Sequence, residues 1–405
     1  MHISLAEGPE IVAIPGPSVI PDRVLSAMHR PMPDIYAGEL EDVIDEVFDA
    51  LPGVARTTSR GYVVIGNGHA AWSMALSNTL SRGDTVLVLE CGLFAGVWGE
   101  LAAFDGLSVE TITAERGHSV DPGAVEARLR ADATGEIAAV LIAHADTASS
   151  VRNDIPAIRG AIDAAGHGAL LMVDAIATIG CERFEMDEWG VDVTVGASQK
   201  GLMVPPGLSF VWAGPRAHAA HASAGLRTRY WDWTARSEDG PYYRRFCGTP
   251  PVSHLYGLRE ALRMIADEGL EARWRRHRAL ADGVRAAVEA WEPAGLRLFA
   301  VRPEARADGV TTIVCDPAAD PVPDVEALRA LCSSRLGVTL GTGIGGFGVG
   351  FRIGHMGHVN APMVLGVVGA VDIALAALGA LECPGGAAAA ARSLATAMVR
   401  GVTIA

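Results

Sequence analysis

Apolar positions along this chain follow two rhythms. From about residue 60 to 215, short runs of Val, Ile and Leu alternate with segments whose apolar residues return every three or four positions. GYVVIG (61–66), TVLVLE (85–90), SVETIT (108–113), IAAVLIAHAD (137–146), ALLMVDAI (169–176) and VDVTVGA (191–197) predict strands. HAAWSMALSNTL (69–80), GVWGELAAFDG (96–106), PGAVEARLRADA (122–133) and DIPAIRGAIDAAG (154–166) predict the helices between them. Most of these strands are apolar almost throughout rather than at alternate positions. That is the pattern of a mainly parallel sheet covered by helices on both faces, so the expected class is α/β.

Beyond about residue 255 the rhythm changes. One long helical region runs to about Trp291, followed by strands in GLRLFAV (295–301), GVTTIVCD (309–316) and GVGFRIG (348–354), with helices at 324–337 and 361–380. The expectation is a large domain over 1–265 that includes the N-terminal segment, a smaller α+β domain over 266–385, and a loosely held tail over 386–405. The stretch 361–380 is apolar enough to raise a membrane question. It contains Asp372 and several Gly and has no companion, so a buried helix is expected. The basic run EARWRRHRALADGVR (271–285) interleaves acids on a helical pattern and predicts a solvated helix face.

Composition narrows the functional classes. The chain has 405 residues, 50% of them hydrophobic, which is ample for more than one core. A formal net charge of −14 argues against a nucleic-acid surface. The six Cys are scattered, with no zinc spacing and no dense disulfide pattern, so no metal is expected. The opening residues lack a basic n-region and a long apolar h-region, and a cytoplasmic location is expected.

One residue type stands out. Lys and Arg together number 33, and a single one of them, Lys200 in VTVGASQKGLMVPPG (193–207), is lysine. A chain that uses arginine wherever charge alone is needed keeps its one primary amine after an apolar strand. An amine can lose its proton and attack a carbonyl, which guanidinium does not do. Lysines of this kind form Schiff bases with pyridoxal phosphate (PLP) or with carbonyl substrates. PLP needs a carboxylate for its pyridine nitrogen. Asp174 ends the apolar strand ALLMVD, where it is also suited to a turn or helix cap. The phosphate needs clustered backbone N–H groups, and GNGHAA (66–71) offers glycines and a helix start, as it would to a dinucleotide or a plain turn. Phe94 is a candidate ring cover or plain core. In a parallel sheet, ligands sit beyond the carboxyl ends of the strands, where Asn67, His69, Phe94, Thr147, Asp174, Gln199 and Lys200 all fall.

The segment DEWGVDVTVGASQKGLMVPPGLSF (187–210) strongly resembles the lysine segment of class V, fold-type I, PLP-dependent aminotransferases, in particular the serine–glyoxylate and alanine–glyoxylate groups. PGPSVIPDRVL (15–25), ALSNTLSRGD (75–84), AIDAAGHGALLMVD (161–174), RYWDW (229–233), TPPVSHLYGLREAL (249–262) and FRIGHMGHVN (351–360) carry the resemblance further, in family order. It implies PLP fold-type I: a mainly parallel seven-stranded sheet in the large domain and a smaller α+β C-terminal domain. It implies that Lys200 forms the Schiff base, that Asp174 pairs with the pyridine nitrogen, and that Ile176 and Phe94 cover the two ring faces. Thr147 would contact the ring hydroxyl oxygen, and Gly68, His69 and Gln199 would bind phosphate. Thr249 would reach the cofactor of a second subunit in a homodimer with composite sites. Arg352 would take the substrate carboxylate. The substrates implied are a small amino acid of the serine or alanine type and a small 2-oxo acid, glyoxylate or pyruvate, in a ping-pong sequence, without nucleic acid or membrane partners.

The chain departs from the pattern in places. The family's His-Arg-Ser run is replaced by HRPMPDIYAGE (29–39), which brings Tyr36 into consideration for the substrate pocket, beside Asn67 and Trp231. RIGHMG also resembles pyridoxamine–pyruvate aminotransferase, an alternative reading. A class V lyase or cysteine desulfurase is a second alternative; it needs a mobile nucleophilic Cys, whereas Cys332 lies on a helical pattern. A dehydrogenase built on GNGHAA lacks the full glycine fingerprint, and a non-catalytic vitamin B6-binding regulator lacks a further binding segment.

Overall fold

The computed structural model describes residues 4–237, 240–320 and 322–402. Its strands are β1 (Ile11–Ala13), β2 (Gly61–Ile65), β3 (Thr85–Glu90), β4 (Ser108–Thr113), β5 (Ile137–Ala143), β6 (Leu170–Asp174), β7 (Val193–Ala197), β8 (Leu208–Ala213), β9 (Leu296–Leu298), β10 (Val310–Cys315), β11 (Val338–Thr342) and β12 (Gly350–Gly354). They form a seven-stranded sheet in the order β2-β8-β7-β6-β5-β3-β4 and a five-stranded sheet in the order β1-β11-β12-β10-β9.

In the large sheet β4, β3, β5, β6 and β7 run parallel, and β8 turns back antiparallel to both β7 and β2. The fully apolar strands are the central ones, and β5 to β7 are buried almost without exception. β4, on the edge, alternates polar and apolar residues and is largely exposed or half-buried. β8 was not marked by the strand pattern, because the chain first passes through the Pro205–Pro206–Gly207 turn. The reversal that follows buries all six of its residues. Gly61 lies opposite Trp212 across this pair, and a Cβ there would stand 3.0 Å from the indole nitrogen.

Four sequence expectations are corrected. The N-terminal segment is divided: β1 pairs with β11 in the smaller sheet, while Val24, Leu40, Val43 and Val47 further along it are buried in the large core. The long helical region is two helices, Val252–Glu268 and Leu270–Ala290, broken at Gly269, whose φ of 79° suits glycine. The tail is not loosely held: Gly386–Val402 is a helix with Ala390 and Leu394 buried in the second core, and Asp372 accepts from the N–H groups of Gly386 and Ala387.

The basic run is not a solvated face. Arg273, His277 and Arg285 are all buried. Arg273 donates to the carbonyls of Gly180 (2.6 Å) and Gly201 (2.8 Å) and pairs with Glu268. Arg285 donates to the Ala307 carbonyl at 2.7 Å and pairs with Asp308. The helix carries these groups inward because loops from both sheets bring it carbonyls that need donors. Among the described residues no helix is long and apolar enough to cross a membrane. Ala361–Ala377 instead buries one face in the second core.

Candidate active site

Parallel strands end together, and that is what assembles the site. Ala143 of β5, Asp174 of β6 and Val195 of β7 share one register, so the residues that follow each strand emerge on the same edge. There a cavity of about 180 Å³ is lined by Asn67, Gly68, His69, Trp72, Phe94, Ala145, Thr147, Asp174, Ile176, Ala177, Gln199 and Lys200. Nine of the twelve site residues expected from sequence thus meet at one place.

Lys200 follows β7 in a loop pinned from several sides. Ser198 Oγ donates to the Pro205 carbonyl (2.8 Å), and Met203 N–H donates to the Lys200 carbonyl (3.1 Å). The N-terminal strap crosses above: Ser18 N–H donates to the Gln199 carbonyl at 2.9 Å and Ser18 Oγ to the Lys200 carbonyl at 2.7 Å. Lys200 Nζ donates to the Pro15 carbonyl. Gly16 has a φ of 100°, which suits glycine, and a Cβ there would stand 2.5 Å from Nζ and push the lysine side chain aside. The side chain is half-buried and lines the cavity. Burial, and then the Arg352 guanidinium, pull the amine down from 10.5 to about 8, with Asp174 opposing.

Asp174 is the complementary group. Burial pushes its carboxyl from 3.8 to about 7, against hydrogen bonds from the Ile176 N–H (2.8 Å) and the Trp72 indole N–H (3.0 Å). It is therefore at once a turn residue and a carboxylate facing the cavity. Trp72 was not singled out from sequence, although it lies one helical turn after Gly68 on the helix Gly68–Thr79, which aims it at the same cavity. A Cβ on Gly68 would overlap the Ile176 side chain, so the glycine lets the helix start pack against the β6 turn. Asn67 caps this helix through His69 N–H at 3.2 Å, and burial lowers the His69 imidazole. Gln199 Oε1 is buried in the cavity wall without a hydrogen-bond partner among the described residues.

Three expected residues lie off the cavity. Arg352, on β12, sits behind Thr147: its Nη1 donates to the Thr147 carbonyl (2.7 Å) and its Nε to the Thr342 carbonyl (2.8 Å). Nη2 has no hydrogen bond among the described residues, and burial lowers the guanidinium to about 10. Thr249 is exposed on the single chain. Tyr36 is 74% exposed, edge-on to Tyr243, and does not point into the cavity. Its N–H is held by Asp34 in a surface loop. Cys332 is fully buried in the second core, its Sγ 3.6 Å from the Ala370 carbonyl.

The family model described as aminotransferase class-V matches residues 56–343. The chain is 38% identical over 387 residues to the serine–glyoxylate aminotransferase of Methylorubrum extorquens, covering 94% of each chain. It is 37% identical over 377 residues to the L-aspartate–glyoxylate aminotransferase of Paracoccus denitrificans, covering 91% of each. The crystal structure of pyridoxamine-pyruvate aminotransferase from Mesorhizobium loti superposes with a TM-score of 0.84 at 27% identity, covering 98% of this chain and 100% of the other.

Proposed function

The chain belongs to the class-V, fold-type I aminotransferases, and from that premise we propose that it is a PLP enzyme moving the amino group of a serine- or alanine-type donor to glyoxylate or pyruvate. The observation that carries this reading is the meeting of the chain's one lysine, lowered to about 8, with a buried carboxylate in one cavity.

The residues present fit the cofactor. Lys200 would hold it covalently and Asp174 would pair with its ring nitrogen. Phe94 and Ile176 would cover the ring faces, and Thr147 would meet the ring hydroxyl. The helix start at Gly68 and His69, with the Gln199 amide, suits the phosphate. When bound, PLP supplies an aldehyde for amine exchange and an electron-withdrawing ring for the carbon that loses its proton.

The protein's own part follows from the geometry. An amine at about 8 is partly uncharged at neutral pH, so Lys200 is poised to take a proton from the substrate Cα and return it. Asp174 supplies negative charge where the ring nitrogen must stay protonated, and Trp72 holds one of its oxygens in place. Arg352 keeps Nη2 for a substrate carboxylate, with two backbone carbonyls fixing the rest of the fork. Two half-reactions on one site give ping-pong kinetics.

Thr249, exposed on one chain, suits a site completed by a second copy, so a homodimer is part of the proposal. The free cysteines suit a reducing compartment, so a cytoplasmic location is part of the proposal. A second reading, pyridoxamine as amino donor, is supported by the full-length match to the Mesorhizobium loti structure. Desulfurase chemistry through Cys332 is not supported, because its thiol is sealed in the core and burial raises it to about 12.

Borohydride reduction of the purified holoprotein should fix the cofactor on Lys200, as read by peptide mapping. A donor screen against glyoxylate and pyruvate should bleach and restore the cofactor absorbance. An adduct elsewhere, or no donor giving transamination, would overturn the proposal.

A further inference from the structure

A second acid ends a buried strand beside the site, and no step of transamination uses it. Asp146 lies three residues beyond β5 and is 1% exposed. Its Oδ2 accepts from the Phe94 N–H at 2.7 Å; its Oδ1 accepts from the N–H groups of Ala148 (2.8 Å) and Ser149 (2.9 Å). Gly92 packs so tightly on this carboxylate that a Cβ there would overlap it. Its partners are backbone N–H groups and the Ser149 hydroxyl rather than a cation, and burial raises the carboxyl above its usual range against them.

The three N–H donors belong to the two segments that wall the cavity. Phe94 begins the helix Phe94–Phe104, and the 147–149 turn carries Thr147. The Thr147 carbonyl in turn receives Arg352 Nη1, and the Ala148 carbonyl receives Thr312 Oγ1 at 2.9 Å from the smaller domain. A single carboxylate therefore ties the wall around Phe94, the wall around Thr147 and the mount of Arg352. We propose that Asp146 is a positioning residue of the transamination site, holding Phe94, Thr147 and, through the Thr147 carbonyl, Arg352 in one arrangement. This rests on the aminotransferase reading and extends it.

The charge has its own effect. The ionisable groups around Asp146 are Lys200, Arg352, Asp174 and the Cys91 thiol; its field favours the charged forms of the first two and opposes ionisation of the others. Lys200 itself is faced by Arg352, Asp174, Cys181 and Asp146.

Two variants separate charge from placement. Asp146→Asn keeps the size, removes the charge and turns one acceptor into a donor. Gly92→Ala keeps the charge and displaces the carboxylate. Because the chain has one lysine, 13Cε-lysine labelling of the cofactor-free protein gives one side-chain resonance that reports the Lys200 amine.

Asp146→Asn should move that titration midpoint to lower pH, whereas Gly92→Ala should move it less. Both should raise KM for the 2-oxo acid by about 10-fold or more, with a smaller change in kcat, the scale of one lost charge-assisted hydrogen bond. A purely structural role would lower thermal stability without moving the midpoint or splitting KM from kcat. An unmoved midpoint together with KM within about twofold of the parent overturns the proposal. If Asn at 146 prevents folding, Gly92→Ala decides it through KM. A parent protein that fails to transaminate would sink the reaction assignment instead, and the midpoint measured on the same samples keeps the two failures apart.

Discussion

Two buried cationic regions meet at one loop and are built in opposite ways. Arg273 directs Nε to the Gly180 carbonyl, Nη2 to the Gly201 carbonyl and Nη1 to Glu268. Lys200, the residue before Gly201, bonds the Pro15 carbonyl and otherwise faces the cavity. Each nitrogen of the planar fork is bonded, and together they lock two loops to the helix Leu270–Ala290. The amine has fewer partners and lies close to its titration point. Guanidinium suits the first task because its five donors are fixed in a plane and it stays charged. Only an amine suits the second, because it can shed a proton. The comparison explains why arginine serves at so many positions here and not at 200.

The sharpest way to break that contrast is to exchange the two chemistries. Lys200→Arg keeps the charge and should lower transamination by about 10⁴-fold or more in steady-state assays, since neither covalent attachment nor proton transfer survives. Turnover near the parent level would mean that the amine is not the working group. The reciprocal change, Arg273→Lys, cannot reach both carbonyls and Glu268 at once. It should cost about 2–3 kcal/mol in denaturant unfolding of the cofactor-free protein. An unchanged midpoint would show that the fork is dispensable.

The smallest effect concerns the acid opposite Lys200. Trp72→Phe removes the indole N–H from Asp174 and should cost about 1–2 kcal/mol. Its signature lies in the pH dependence. The folded-state carboxyl of Asp174 is raised from 3.8 to about 7, so the native state holds a proton that the unfolded chain has already released. This group's contribution to stability therefore falls as pH rises from about 4 to 7 and then levels off. Without the indole the carboxyl moves further up and the decline should extend to higher pH. Thermal melts of the cofactor-free protein between about pH 5 and 9 would read this, and Asp174→Asn should remove that component. A Trp72→Phe curve parallel to the parent's would exclude the indole from tuning Asp174.

Some of this was legible along the chain, and the reasons differ by element. The central strands could be read because strands buried on both faces carry unbroken apolar runs, as in β5, β6 and β7. β1 and β11 were missed because a three-residue strand and a Gly-rich one leave little pattern, and β8 because its partner lies across a proline turn. Asp174 could be found because an acid closes an apolar strand. Asp146 closes the apolar run IAAVLIAHAD, three residues beyond β5, and went unremarked, since nothing local distinguishes an acid that faces the cavity from one that clamps backbone. The basic run misled because alternating charge on a helical period looks solvated until distant carbonyls arrive to pair with it.

The sequence by itself determined the α/β rhythm, the one amine that can do carbonyl chemistry, and the family motif around it. Both the strand period and the identity of a reactive group are local properties. The tertiary structure decided which buried groups face one another: Trp72 on Asp174, Asp146 on Phe94, Arg273 on Gly201. These pairings join residues far apart in the chain, and each exists because a buried donor or acceptor must find its partner wherever the fold happens to bring one.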